Sequence, residues 1–173
     1  LFLLASFLGL AQQRQAQVWK YGHAFGSTFD FGFTPVKRTK TKIGADLGVA
    51  SVCDSNGKYQ FSGMSGGILN RKDSLMPNGK MQPQFGYAGF GCNLIIPFQK
   101  DSRRYHYFMI SDRNDGTNYL IYHFTINMDL DGGKGDVETS KTEIIDTTAG
   151  LQIACMLHAN GRDSWLIARR HQS

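Results

Sequence analysis

Asn127, Asp129, Asp131 and Glu138 put oxygen-bearing side chains at the first, third, fifth and twelfth positions of one stretch, with Gly132 at the sixth. Calcium gathers about seven oxygens, and a glycine turn brings the early ligands onto one point, so the spacing reads as a calcium loop. Three features oppose it. Asn127 stands where the first Asp belongs, Lys134 adds a cation, and the flanks read as strands instead of helices. The competing reading is a plain polar hairpin turn.

A second pattern, Gly63-Met64-Ser65-Gly66-Gly67, matches G-x-S-x-G. A nucleophile elbow needs a helix after the serine so that the hydroxyl stands exposed near an oxyanion hole. Ile68-Leu69-Asn70 continues as a strand, so a glycine-rich turn is expected here. His23, His106, His123, His158 and His171 show neither H-x-x-H spacing nor a neighbouring Glu; His106 and His123 read as ordinary sheet residues. Cys53, Cys92 and Cys155 are an odd set without C-x-x-C spacing, so at least one thiol is unpaired. For a hydrolase built on such a chain, the acids to watch are Asp46, Asp54, Asp112 and Asp115. Trp19 and Trp165, with the many Phe and Tyr, offer a sugar-stacking platform, against the default of core packing.

The net charge of +5 has one concentrated source, Lys37-Arg38-Thr39-Lys40-Thr41-Lys42. Alternation with Thr projects cations from a strand, where they can meet phosphate or an acidic glycan. No aromatic residue is interleaved there for stacking bases, so nucleic acid is not expected as a partner. A solvated edge strand is the favoured reading, because lysines there discourage edge-to-edge pairing.

The elements that would position these groups are strands. Val49 to Phe61 and Ile153 to Trp165 are two copies of one hairpin, each with Asn-Gly at its tip, which predicts a type I′ turn. Leu94 to Pro97 and Tyr105 to Ile110 flank a polar turn. Leu120, Tyr122, Phe124 and Ile126 alternate as one face of a half-buried strand. The Gly-rich run from Gly22 to Phe33 and the Met76-Pro77-Asn78-Gly79 stretch read as loop and turn. With 41% hydrophobic residues and no sustained helical period, the expectation is all-β: antiparallel four-stranded blades of an incomplete β-propeller, with a β-sandwich as the alternative. Leu1 to Ala11 is too short to span a bilayer and ends in a small-x-small cleavage pattern, so 1–11 reads as a signal peptide cut before Gln12.

The motifs also recur in a known order. Trp19-Lys20-Tyr21-Gly22, Phe29-Asp30-Phe31, Asp54-Ser55-Asn56-Gly57, Leu69-Asn70-Arg71, Met76-Pro77-Asn78-Gly79, Leu94-Ile95-Ile96-Pro97, Tyr107-Phe108, Gly132 to Val137 and His158-Ala159-Asn160-Gly161 follow one another. This order resembles the N-terminal WD40-like β-propeller region of secreted Bacteroidota proteins with a downstream type IX secretion, gliding-motility-associated sorting domain. The resemblance implies a secreted or cell-surface protein acting as a binding or adhesion module, with an unknown protein or glycan ligand, no membrane span and no catalytic set. At roughly 40 to 50 residues per blade, 12–173 would hold about three blades and be a fragment truncated at its C-terminal end. The rival expectation is a propeller-scaffold hydrolase supported by calcium.

Overall fold

The computed structural model describes residues 15–21, 26–41, 48–64, 66–80, 93–112, 119–139, 143–160 and 162–170. The expected signal peptide, Cys92, Asp46 and Asp115 lie outside them. The architecture is all-β, and every strand pairing is antiparallel. Strands β1 (Val18–Tyr21), β2 (Gly26–Asp30) and β3 (Lys37–Thr41) form sheet A. Sheet B is a four-stranded meander of the blade kind: β4 (Ala50–Cys53), β5 (Tyr59–Met64), β6 (Gly67–Asn70) and β7 (Leu75–Lys80). Sheet C orders β8 (Asn93–Pro97), β9 (Arg104–Asp112), β10 (Tyr119–Asn127), β12 (Glu143–Leu157) and β13 (Ser164–Arg170), with β11 (Asp136–Val137) pairing the end of β10. The one helical segment described in full is α1, Leu130–Gly133. No described helix is long and apolar enough to cross a membrane.

Alternation explains how the sheets stack. Val52, Phe61, Ile68 and Met76 on sheet B meet Tyr105, Tyr107, Met109, Leu120, Tyr122, Phe124 and Ile126 on sheet C in the main core. The expected one-sided face of β10 is therefore the core face. Beyond Ala149, β12 leaves β10, pairs with β13, and approaches β8 and β9. Ile153 then packs on Ile110 and Ile121, the opposite face of sheet C. Sheet A meets sheet B through β1 and β4, where the Ser51 hydroxyl donates to the Val18 carbonyl at 2.8 Å.

Three local expectations need correction. The first Asn-Gly hairpin forms, but its turn is not type I′, because only Gly57 of the pair takes a positive φ, +82°. Gly57 N–H donates to the Asp54 carbonyl while the Asp54 carboxylate accepts the Asn56 and Lys58 N–H groups. A side chain that satisfies two turn amides selects a longer loop than the tip dipeptide alone predicts. The supposed loop before Phe33 contains β2, whose pairing with two neighbours outweighs its poor pattern. Pro77, Asn78 and Gly79 lie inside β7, an edge strand where a missing N–H is tolerated. The β6–β7 register shifts between Gly67 and Leu69, so this edge carries a bulge.

Gly63 faces the main core, and a Cβ there would overlap the fully buried Tyr107 ring. Gly63→Ala is expected to destabilise the chain by roughly 1–3 kcal/mol through overpacking. Gly66→Ala, with nothing near its would-be Cβ, is expected to be neutral. Equilibrium urea unfolding of the two variants checks the pair, and equal midpoints would contradict this account of the sheet contact.

Candidate functional site

The proposed calcium segment runs from the end of β10 through α1 into β11. Asp131 and Gly132 adopt left-handed conformations, φ 49° and 61°, which makes α1 a tight reversal. An open groove of about 670 Å³ lies beside it, lined among others by Asn78, Arg104, Asn127, Asp131, Asp136 and Glu138. Thus Asn127, Asp131 and Glu138 are brought to one groove, while Asp129 projects to solvent. Their oxygens are turned to internal partners. Arg103 Nε reaches Asp129 at 2.9 Å, Lys134 Nζ reaches Asp131 at 3.2 Å, and Arg104 Nε reaches Glu138 at 3.0 Å. Asn127 donates to Glu138 and accepts the Asp129 N–H. Asp136, a groove acid that the spacing did not single out, accepts the backbone and side-chain N–H groups of Asn78 at 2.8 and 2.7 Å. Among the described residues no three His, Cys, Asp or Glu side chains gather to hold a metal ion.

The basic segment forms β3, the edge of sheet A, as expected. What the linear sequence hid is that neighbouring strands supply the aromatics. Register aligns Trp19, Phe29 and Arg38 in one cross-strand row, and Ser27 with Lys40 in the next row on that face. Phe31 N–H donates to the Gln17 carbonyl, extending the β1–β2 ladder and keeping Phe31 on the face of Phe29. Trp19 and Phe31 meet edge to face at 5.2 Å. Arg38 lies over Phe29 at 5.8 Å and donates to the Ser27 hydroxyl, while Lys37 lies over Phe33 at 5.2 Å. Trp19 is 57% exposed, Phe31 49% and Phe33 51%, so these aromatic rings are displayed, not packed.

A third arrangement was missed altogether. On the far face of sheet C, His123 Nδ1 is 2.8 Å from Glu143, and His123 Nε2 is 2.9 Å from His106 Nδ1. An ionised carboxylate only accepts, so His123 carries its proton on Nδ1; neutral His123 then accepts at Nε2 from His106 Nδ1–H. Phe98 stacks on His106 at 3.9 Å. The residues are 17 and 20 positions apart in sequence. Only the β9–β10–β12 register, pairing His123 with Phe108 and with Glu143, brings them together.

The remaining candidates have plain roles. Met64 pairs with Gly67 across the β5–β6 turn and a strand follows, so G-x-S-x-G is a hairpin here, with Ser65 itself outside the described residues. Asp54 caps its turn. Asp112 ends β9. Cys53 and Cys155 are free thiols, and burial raises Cys53 to about 11, so it is a poor nucleophile. Searches against family models, curated proteins and solved structures find no match to the chain.

Burial, helped by the neighbouring His123, lowers His106 to about 4. The unfolded chain binds that proton below about pH 6.5 and the fold does not, so stability falls as pH drops from 6.5 towards 4. His106→Phe is expected to reduce the stability lost between pH 7 and pH 5 by about 1 kcal/mol, discounted for partial exposure. Urea midpoints at the two pH values check this, and an unchanged pH dependence would refute it.

Proposed function

We propose that the chain is a non-catalytic binding module of a secreted or cell-surface protein, of the propeller kind that its order of motifs resembles. The observation that carries this reading is the outer face of sheet A. Trp19 and Phe31 stand exposed and in contact where no core needs them, and contiguous exposed apolar surface rimmed by polar groups marks an interaction site. Aromatic and Arg side chains are the residue types that dominate binding energy at such sites. The groove acids are already satisfied within the fold and supply no unpaired acid–base couple, which favours binding over hydrolysis.

The test is a microarray of glycans and extracellular proteins, probed with the full chain and with a Trp19→Ala/Phe31→Ala variant. Saturable binding to at least one class, weakened tenfold or more in a variant of unchanged melting temperature, supports the module. Binding that is indifferent to the two substitutions, no binding at all, or turnover of a bound ligand overturns it.

Calcium enters this reading as a proposal from spacing alone. An ion at Asn127, Asp129, Asp131 and Glu138 would have to displace Arg103, Lys134 and Arg104 from those acids. Titration calorimetry of the full chain decides it: heat that disappears in Asp129→Ala/Asp131→Ala supports the site, and silence at millimolar calcium removes it.

A further inference from the structure

We propose that the ligand of the sheet A face is an acidic polysaccharide, its rings packed on Trp19 and Phe31 and its acid groups met by Arg38 and Lys40. The inference rests on the binding-module reading and adds the ligand class.

Charge gives the sign of the partner. Arg38 and Lys40 are exposed on one edge strand, and among the described residues no carboxylate pairs with either of them. Asp30, the nearest acid in sheet A, falls on the other face by register and accepts from the Gly32 N–H and from Gln17. Arg38 and Lys40 lie two residues apart on one side of β3, about 6.8 Å along the strand. A linear polyanion laid along this edge meets successive cations. Contact with Phe29 restrains Arg38 before any ligand arrives, which reduces the ordering lost on binding.

Ring geometry separates the two polyanions that combine acid groups with stackable rings. Successive bases of a single strand stack on parallel platforms. Here Trp19 and Phe31 are inclined at 61°, and Phe29 and Phe33 each have a cation over the ring. The free aromatic surface is a corner. A puckered sugar ring presents C–H groups from its face and its rim and can touch both walls of a corner, whereas a flat base fills only one. The observations therefore favour a glycan over a nucleic acid.

The test uses the full chain with four immobilised probes: polygalacturonate, its carboxyl-reduced neutral counterpart, oligo(dT) and polyglutamate. The expected result is saturable binding to polygalacturonate, at least tenfold tighter than to the other three and weakening with salt. Trp19→Ala should reduce it tenfold or more, and Arg38→Gln/Lys40→Gln should reduce both affinity and salt dependence. All three positions are exposed, and thermal unfolding confirms that the variants stay folded. Equal binding to polyglutamate would reduce the face to charge alone and overturn the inference, as would tighter binding to oligo(dT). Polygalacturonate binding untouched by the substitutions would place the site elsewhere and overturn it too. If polygalacturonate fails while a neutral glycan or a protein binds in a Trp19-dependent way, the ligand class is wrong and the module reading stands. If no ligand responds to Trp19, both fall.

Discussion

The distance between sheets B and C is set where the Tyr107 ring lies against the backbone of Gly63. Tyr107 is completely buried, and its hydroxyl donates to Asn93 Oδ1 at 2.8 Å, so the ring cannot move aside without leaving a polar group unpaired. Burial also pushes the Tyr107 phenol well above its ordinary range and keeps it the neutral donor this bond requires. Because the strand next to the ring lacks a side chain at that point, Phe61, Ile68 and Met76 come within reach of the β9 and β10 core faces. The same register sends His106, Phe108, Ile121 and His123 to the other side of sheet C. The main core and the histidine chain are two faces of one placement.

Much of this was legible in the sequence, and the boundary of legibility has a physical cause. The alternation in Leu120 to Ile126 survives because Leu120, Tyr122, Phe124 and Ile126 all meet the main core, although the strand is not half-buried as expected, since Ile121 and Thr125 are buried on its other face. Leu94 to Pro97, half-buried throughout, and Tyr105 to Ile110 were legible as apolar runs either side of a polar turn, which is closed by Phe98 N–H donating to the Arg104 carbonyl. Gly26-Ser27-Thr28 carries no such alternation, since β2 is held from both sides by backbone ladders that need no pattern. Pro77-Asn78-Gly79 looks like a turn because its residues suit turns. The Asp136 carboxylate nevertheless takes the Asn78 amides and holds the segment as a bulged edge. Partners elsewhere in the chain decided both cases, backbone ladders in the first and the Asp136 side chain in the second.

Turn chemistry was half readable. Asp54, Asn70 and Asp101 each open a connection between strands and each accept a backbone N–H two residues on with their own side chain. Asn127 does the same at the start of the proposed calcium loop, accepting the Asp129 N–H. An oxygen spent on a turn amide is less available to a cation. Residues that favour calcium loops and residues that build capped turns are the same types, so spacing alone does not separate them. The arginines that occupy Asp129 and Glu138 come from the β8–β9 connection and the start of β9. Nothing in the linear motif announces them.

Which face of sheet A looks outward is decided by a buried lysine. Lys20 is 8% exposed, pairs with Asp73 and lies 4.3 Å above the Tyr59 ring. Burial lowers its pKa, and the hydrogen bond and charge of Asp73 act in the opposite direction. Removing Asp73 would leave that ammonium desolvated and uncompensated, whereas with Asp73 present the cation is held on the inner side with Val18. A strand slipped by one residue exchanges its two faces completely. It would put Trp19 against sheet B and Lys20 into water, giving up the Asp73 pair and the Tyr59 contact together. Asp73 itself sits at φ 59° in the β6–β7 turn, directed there by the Asn70 cap. The aromatic face that carries the binding argument is thus exposed because a turn on another sheet fixes the lysine beside it.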